Sequence, residues 1–303
     1  MDINELKQKV GRIRTASIGG SGTGSMEFPE QLPFFEHGML REIVNNVQTP
    51  FGVVPVIKLM VVRGHIVPRI PFHGWKKLGK SGVNATVEAT QAVFWMLRHL
   101  GVEQVIVDAS CGGIGIKPTD VVIPDNFFVF PDVKYAISKL CHSFGITPWM
   151  RMAEPACPRL RTAWLEAFAG MTGEELGITG TIHDGGKAVT TPLSLFETSW
   201  EIETYEKMGA STVNQSTGQE VYAARAMGMC IAHANPVANY AEGLKDGAWN
   251  PEYGMAEYYN KCAMPVGIAT WKALESIVGR EITCNCASYG AGEGLDMLSN
   301  DLV

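Results

Sequence analysis

The sequence predicts an α/β fold in a single domain, with a central, mixed but largely parallel sheet flanked by helices. Two observations carry this prediction. Of the 303 residues, 46% are hydrophobic and 18% are charged, so the chain has enough apolar material for one large core. Short runs of apolar, β-branched residues also alternate with longer stretches whose apolar residues recur at helical spacing. Such alternation is typical of parallel strands joined by crossover helices.

The apolar runs predict five short strands, and their many β-branched residues suit strands that are covered on both faces. Three of the helical stretches are followed directly by a glycine, at Gly101, Gly209 and Gly228, as is common at helix ends. Residues 1–303 are interpreted as one domain with an elaborated region over 131–190. Its stretch from 131 to 186 is irregular apart from a helix over 161–168. Strands are predicted over 13–19, 54–62, 104–109, 120–123 and 230–234, and helices over 86–100, 198–208, 219–227 and 252–278, the last with Pro265 as a candidate break.

Charge and hydropathy argue against two classes of partner. Lysine and arginine total 25 against 31 aspartates and glutamates, which gives a formal net charge of −6. A chain with this balance lacks the clustered basic surface that nucleic acids require. The first residues lack the apolar core of a signal peptide, and no apolar run approaches the ~18 residues that span a bilayer. We therefore expect a cytoplasmic protein that binds neither nucleic acid nor membrane.

The seven cysteines are scattered along the chain, and an odd number does not suit a secreted disulfide framework. Reduced cytosolic thiols are the simplest interpretation. Cys284 and Cys286 form a Cys-x-Cys pair that could close a small redox ring. The sequence shows no matching pair that would complete a zinc-binding tetrad. No metal site is therefore predicted, and the pair is assigned no role.

Four polar or glycine-rich turns follow strand-like runs, at the sheet edge where α/β proteins bind their ligands. They lie at 19–24, 63–65, 110–113 and 214–218. Turn amides, serine hydroxyls, arginine and histidine are all groups that bind phosphate. Any one such turn is more often structural than functional, but four in one chain favour a phosphate pocket. A dinucleotide site is disfavoured because Ser25 stands where the fingerprint requires its third glycine.

Seven short motifs, in order along roughly residues 13–245, point to one known family. They are I-G-G-S-G at 18–22, R-G-H at 63–65, A-S-C-G-G at 109–113, K-P-T-D-V-V-I-P-D at 117–125, M-A-E-P-A-C-P at 152–158, F-E-T at 196–198, and Q-S-T at 215–217 followed by Glu220. Together they resemble the trimeric branch of the purine nucleoside phosphorylase family, and the M-A-E-P-A-C-P run most resembles its methylthioadenosine phosphorylase subgroup. The resemblance implies a nucleoside phosphorylase-like fold and phosphorolysis, in which a nucleoside and phosphate give a free base and a pentose 1-phosphate.

The resemblance also implies an assembly and a role for each site residue. The ligands would be a small nucleoside and inorganic phosphate, with no metal or organic cofactor. The chain would form a homotrimer or a dimer of trimers, with sites completed across subunit boundaries. The implied catalytic residues are Asn239, Arg63 and His65; the phosphate would contact Ser21, Arg63, His65, Ser110 through its backbone, and Ser216; the base and sugar would contact Phe196, Glu197, Gln215 and Asn239.

Asn239 gives the clearest indication of the base. Adenine-selective members of the family carry aspartate at this position and again two residues later, where this chain has Ala241. A neutral carboxamide can donate to and accept from a 6-oxopurine, whereas aspartate needs an added proton to donate. Members that act on 6-oxopurines pair the asparagine with a glutamate, as Glu197 would do here. We therefore expect a 6-oxopurine nucleoside, which could carry a 5′-methylthio group, over the methylthioadenosine that the subgroup implies.

Departures from the family pattern keep other functions open. The residues at 192–195 replace a usual Gly-Pro, Gln215 replaces a usual methionine, and Gln219 stands in place of a proline. The alternatives are a methylthioadenosine or adenosine phosphorylase, a nucleosidase that uses water, a non-catalytic nucleoside-binding relative, and an enzyme repurposed for a non-purine ribosyl substrate. Phosphorolysis with Arg63 on the phosphate predicts that Arg63→Ala raises the phosphate KM and lowers kcat.

Overall fold

The structure is a computed structural model, and it describes residues 1–72, 87–171, 180–191, 196–244 and 255–290. Its elements form one sheet with helices on both faces. None of the described helices combines the length and the apolar character needed to cross a bilayer. The strands are β1 (Thr15–Gly19), β2 (Leu40–Thr49), β3 (Gly52–Val62), β4 (His65–Ile70), β5 (Gln104–Asp108), β6 (Cys111–Gly113), β7 (Val121–Ile123), β8 (Asn126–Val129), β9 (Ile182–Asp184), β10 (Lys187–Thr190), β11 (Thr212–Asn214) and β12 (Cys230–Tyr240); the helices are α1 (Ile3–Val10), α2 (Val87–Leu100), α3 (Pro131–His142), α4 (Pro158–Phe168), α5 (Ser199–Lys207), α6 (Thr217–Ala226) and α7 (Met255–Ile277).

The long strand β12 divides the sheet into two halves. Strands β2-β3-β4-β1-β5 lie in that order on one side of it, and β6-β11-β10-β8 lie on the other. The first part of β12 pairs in parallel with β5, beginning with Cys230 beside Gln104. Its last part pairs in parallel with β6 after a register shift between Val237 and Asn239. The two halves of the sheet therefore meet along β12 close to Asn239. The register shift there changes the direction of the neighbouring side chains.

Two apolar clusters hold the sheet between layers of helices. All five residues of β1 and all five of β5 are buried, as expected for parallel strands that are covered on both faces. The first cluster contains residues of α1, α2, α3 and α6, and the second contains residues of α4 and α7. Because the strands are packed from both sides, the turns at their ends have fixed positions.

The predicted fold class is confirmed, and the predicted strands correspond to β1, β3, β5, β7 and β12. The predicted helices correspond to α2, α4, α5, α6 and α7, although residue 86 and residues 252–254 lie outside the described part of the chain. The expected break at Pro265 is wrong, since α7 continues through it. Cys262 and Val266 are completely buried on either side of the proline, so packing offsets the hydrogen bond that proline cannot donate.

Two further expectations need correction. The stretch 131–186 is more regular than predicted, since it contains α3 and β9 in addition to the expected helix, with 172–179 outside the described residues. The Cys284/Cys286 pair does have matching thiols: the Sγ atoms of Cys157 and Cys230 lie beside it. Sequence spacing could not show this, because these two residues are 127 and 54 positions away from Cys284.

The turn after β1 is pressed against the end of β5. The N–H of Gly20 donates to the carbonyl oxygen of Asp108 at 2.6 Å. A Cβ on Gly20 would lie only 2.1 Å from that oxygen, so no larger residue fits without moving the backbone. This close approach brings Ser21, the next residue, beside the residues that follow β5.

Candidate active site

A cavity of about 580 Å³ lies where the two halves of the sheet meet. It is reached by the residues that follow β1, β5, β10 and β11 and by the last residues of β12, with the first turns of α7 on its rim. This is the edge at which α/β proteins bind ligands. The lining residues are Ser21, Gly24, Ser25, Ser110, Cys111, Gly112, Phe196, Glu197, Val213, Asn214, Gln215, Ser216, Asn239, Ala241, Glu242, Tyr259 and Asn260.

One wall of the cavity is a chain of hydroxyl groups. The Oγ atoms of Ser21 and Ser110 are hydrogen-bonded to each other, and the N–H of Ser110 donates to Ser21 Oγ at 3.2 Å. The Ser110 Oγ and the Tyr259 hydroxyl are 3.1 Å apart. Burial raises the pKa of Tyr259 above its ordinary value, so this phenol stays protonated at neutral pH. The wall therefore offers neutral donors that can turn towards an anion.

Ser216 faces the same cavity from the start of α6. Asn214 Oδ1 accepts hydrogen bonds from the N–H groups of Ser216 at 3.2 Å and Thr217 at 3.0 Å, and from Thr217 Oγ1 at 2.7 Å. The N–H of Gly218 donates to Thr190 Oγ1 at 2.8 Å. These first amides of the helix are thus occupied within the protein. The contribution of α6 to an anion is the Ser216 hydroxyl together with the positive end of the helix dipole.

Another part of the cavity lining carries a carboxyl group and a carboxamide. Glu197 is buried, and its Oε1 accepts a hydrogen bond from Thr191 Oγ1 at 2.5 Å. Burial raises the pKa of Glu197, and the charges of Glu201 and Glu242 raise it further. Asn239 donates one N–H of its amide to the carbonyl oxygen of Tyr240 at 2.6 Å. A carboxamide has a second N–H and an acceptor oxygen, which suits it to a heterocycle edge.

Phe196 and Gln215 complete the set of predicted residues in this cavity. The Phe196 ring is half exposed beside Glu197, where a planar ligand could pack on it. The carbonyl oxygen of Gln215 accepts a hydrogen bond from the side chain of Gln219 at 3.1 Å. Seven of the nine predicted site residues therefore line one cavity: Ser21, Ser110, Phe196, Glu197, Gln215, Ser216 and Asn239.

Arg63 and His65 are the two exceptions, and their predicted place in the pocket is wrong. They lie at the turn between β3 and β4, which are antiparallel and pair Val62 with His65. Strand β4 runs parallel to β1, so this turn is at the amino-terminal edge of the sheet, roughly 15–20 Å from the Ser21 edge along β4. His65 instead lies at the end of α7, where a Cβ on Gly279 would be 2.7 Å from its Nε2.

The arginine at the correct edge of the sheet is Arg69, near the end of β4. Its Nη2 forms an ion pair with Asp108 Oδ2 at 2.6 Å, and both side chains are almost completely buried. Its other nitrogen, Nη1, donates to Ser17 Oγ at 2.6 Å. The positive charge of Arg69 is therefore already neutralised under the Ser21 turn. Among the described residues that line the cavity there is no lysine, arginine or histidine, whereas Glu197 and Glu242 bring two carboxylic acids.

Several residues that line the cavity were not predicted as site residues, because no strong sequence pattern marks them. Tyr259 and Asn260 come from α7, which has no motif and lies far along the chain. Glu242 follows the Asn239 position by three residues, and strand alternation alone does not show which neighbours of Asn239 face a ligand. Asn214 opens the predicted turn at 214–218 but was given no role of its own, since the three-residue strand that it ends is too short for a periodic pattern. The prediction about 192–195 lies outside the described residues.

The fold and the cavity together define an α/β protein with a ligand-sized cavity at the carboxyl edge of its sheet. Residues 36–260 match the model of the Phosphorylase superfamily. The chain belongs to this family, as the sequence motifs predicted.

Named relatives within the family are similar to this chain over about three quarters of its length. The chain is 32% identical over 237 residues to a probable S-methyl-5′-thioinosine phosphorylase of Methanopyrus kandleri, covering 76% of this chain and 79% of the relative. It is 29% identical over 231 residues to an S-methyl-5′-thioadenosine phosphorylase of Pyrococcus horikoshii, covering 74% and 77%. The structure also matches methylthioadenosine phosphorylase from Schistosoma mansoni in complex with tubercidin, with a TM-score of 0.71, 22% identity, and coverage of 96% and 100%. This structural match confirms the fold.

Proposed function

We propose that this protein is a pentosyltransferase that uses inorganic phosphate to cleave the N-glycosidic bond of a purine nucleoside, giving the free base and a pentose 1-phosphate. The observation that carries the proposal is that Ser21, Ser110 and Ser216 line the same cavity as Glu197 and Asn239. The names of the relatives from Methanopyrus kandleri and Pyrococcus horikoshii support the same reaction class.

The proposed chemistry follows from where charge develops. Cleavage of an N-glycosidic bond passes through an oxocarbenium-like state, as glycoside hydrolysis does. A phosphate held by the three serine hydroxyls would lie beneath the sugar, stabilise its positive charge, and attack the anomeric carbon. Donors that are already oriented stabilise charge without reorganising during the reaction. The departing purine gains negative charge on its ring nitrogens, and the second amide N–H of Asn239 can donate there.

We propose a 6-oxopurine base, with a 5′-methylthio nucleoside as one candidate substrate. An ionised Glu197 accepts a hydrogen bond from the N1–H of a 6-oxopurine, whereas it repels the N1 lone pair of adenine. Asn239 and Ala241 stand where adenine-selective members of the family carry aspartates. The relative from Methanopyrus kandleri is named for a thioinosine, a 6-oxopurine nucleoside. Cleavage of adenine nucleosides in preference to inosine or methylthioinosine would contradict this base.

A hydrolytic nucleosidase or a catalytically silent nucleoside-binding protein is the second candidate. It is favoured by one observation: the described residues that line the cavity supply two carboxylic acids and no cationic side chain. A phosphate dianion is repelled by carboxylates in a site of low dielectric constant, whereas water needs no counter-charge. Phosphorolysis therefore depends on neutral donors more than the sequence suggested.

One assay separates these functions. Inosine, guanosine, adenosine, methylthioinosine and methylthioadenosine are each incubated with the protein, with and without inorganic phosphate, and the released base is measured. Phosphorolysis predicts base release only with phosphate, together with one pentose 1-phosphate per base. Equal rates in phosphate-free buffer would identify a nucleosidase. Thermal stabilisation by nucleosides without base release would identify a binding protein.

The exposed aromatic side chains and the cysteines bear on the oligomeric state and the cellular compartment. We propose that inorganic phosphate is the only co-substrate and that the protein is a cytoplasmic homotrimer. Tyr135, Trp149 and Trp200 expose 67%, 56% and 76% of their surfaces in the single chain, and contacts between subunits could cover them. None of the seven cysteines forms a disulfide, as is usual in a reducing compartment. Light scattering tests the assembly, because a trimer has three times the 32.9 kDa chain mass.

A further inference from the structure

The cysteine cluster consists of Cys157, Cys230, Cys284 and Cys286, at the opposite end of β12 from the active site. All four Sγ atoms lie within 4.8 Å of one another. Cys284 Sγ is 3.2 Å from the Sγ of Cys230 and 3.6 Å from that of Cys157. Four thiolates around one zinc ion, each about 2.3 Å from it, are about 3.8 Å apart at the corners of a tetrahedron. The cluster therefore has the dimensions of a single-ion site.

Three separate parts of the fold deliver these thiols. Cys157 is the N-cap of α4, where the positive end of the helix favours a thiolate, and its side chain makes no capping hydrogen bond. Cys230 is the first residue of β12, and the N–H of Cys157 donates to the neighbouring Ile231 carbonyl oxygen at 2.8 Å. Cys284 and Cys286 come from the segment after α7. Three of the thiols are buried and Cys284 is partly exposed. Protein therefore surrounds the cluster except beside Cys284.

A buried positive charge beside the cluster points independently to a negatively charged centre. Arg225 is only 1% exposed, and it forms no ion pair with a carboxylate among the described residues. Its Nη1 donates to the carbonyl oxygen of Cys286 at 2.9 Å, its Nη2 donates to the carbonyls of Glu154 and Pro155, and its Nε is buried without a hydrogen-bond partner. A buried guanidinium without a counter-charge is costly.

We propose that the cysteine cluster binds one structural zinc ion. Four cysteine thiols and Zn²⁺ give the tetrathiolate complex and four protons, and the complex carries a net charge of −2 that offsets Arg225. Tetrahedral sulfur ligation with four protein ligands is typical of structural zinc and leaves no open position for catalysis. The ion ties the segment after α7 to the starts of α4 and β12. This inference does not depend on the proposed function.

The test uses the wild-type protein purified under reducing conditions without chelators. Elemental analysis is expected to find about one zinc ion per chain. Titration with p-hydroxymercuribenzoate in the presence of a zinc-sensitive dye should release that ion as the cluster thiols react. This measurement needs no variant, so it stands even if substitutions prevent folding. Seven free thiols without zinc, two disulfides among the four cysteines, or iron in place of zinc would each overturn the assignment.

Matched variants locate the ion in the chain. Cys284→Ser is expected to lose the bound zinc and lower Tm, because three thiolates and a hydroxyl bind zinc more weakly than four thiolates. Cys141→Ser is the control, since Cys141 is buried in α3 away from the cluster, and it should keep its zinc. Replacement of zinc by Co²⁺ should give the visible bands of tetrahedral thiolate ligation in the control only. Full zinc content in Cys284→Ser would overturn the proposal.

Discussion

The Ser21 turn (residues 19–24) and the Arg63 turn (residues 63–65) look alike in sequence but have different places in the fold. Each follows a buried, β-branched strand, and each combines glycine with polar side chains. The Ser21 turn lies where β1 ends among parallel strands, and Ser21 lines the cavity. The Arg63 turn joins two antiparallel strands at the other edge of the sheet. Strand direction, which no local motif shows, decides which turn can bind a ligand.

The different strand directions at the two turns also decide which arginine lies near the cavity. Arg63, in the wrong turn, is exposed, whereas Arg69 lies under the Ser21 turn and is paired with Asp108. A cation close to a site is therefore not automatically available to its ligand. Arg69 supports the turn from below, and the serine hydroxyls above it are what a ligand can reach. Substitutions at the two edges should separate these roles.

The largest expected difference is in stability. Arg69→Ala leaves Asp108 as an unpaired buried charge, so we expect it to lower the free energy of unfolding by about 3–5 kcal/mol. Arg63→Ala removes an exposed side chain and should change it by less than about 0.5 kcal/mol. Urea denaturation of both variants measures the contrast. Equal losses in the two variants would show that the buried pair does not hold the Ser21 turn.

The next effect concerns phosphate. A hydrogen bond to a charged group contributes about 1.5–3 kcal/mol, so Ser216→Ala should lower kcat/KM for phosphate roughly 10- to 100-fold. Arg63→Ala should leave it within about twofold, contrary to the expectation from sequence, because residue 63 is at the other edge. Steady-state rates at varied phosphate concentration compare them. A strong phosphate effect in Arg63→Ala, with none in Ser216→Ala, would reverse the proposed assignment of the edges.

A smaller effect depends on pH. Because burial raises the pKa of Glu197 above its ordinary 4.5, the folded protein holds this proton more tightly than the unfolded chain. The associated stability is complete below about pH 4.5 and is lost as pH rises through the raised pKa. The stability of the wild type relative to Glu197→Gln should therefore fall as the pH rises above about 4.5 and through the raised pKa of Glu197. Denaturation at a series of pH values measures this difference, with Glu206→Gln, an exposed change in α5, as control. A constant difference would contradict a raised pKa for Glu197.

The smallest effect is expected at Gly64 in the Arg63 turn. Gly64 has φ +81°, and a Cβ there would meet no atom within 4 Å. Gly64→Ala should lower the free energy of unfolding by about 1–2 kcal/mol through backbone strain alone, with kcat/KM unchanged. Thermal unfolding and phosphate-dependent rates are measured on the same sample. Loss of activity without loss of stability would connect this edge of the sheet to catalysis.

Much of the fold could be predicted because its central strands are buried on both faces and therefore apolar throughout. Seven strands were not predicted: β2, β4, β6, β8, β9, β10 and β11. Strands β6, β9 and β11 have three residues each and β2 is mostly exposed and polar, so none of these four contains an apolar run. Seven of the nine predicted site residues line one cavity, and they could be selected because they follow strand-like runs in recognisable motifs. Tyr259 was missed because a helix residue that reaches a site from outside the sheet leaves no local pattern.

The sequence by itself determined the alternation of strands and helices, the family, and the turns that carry Ser21, Ser110 and Ser216. Apolar periodicity and turn chemistry are local properties of the chain. Only the tertiary structure decided which edge each turn occupies, that Arg69 is neutralised by Asp108, and that four distant cysteines share one place. These facts depend on strand direction and on contacts between residues far apart in the chain. Local chemistry carries no record of either until the sheet is assembled.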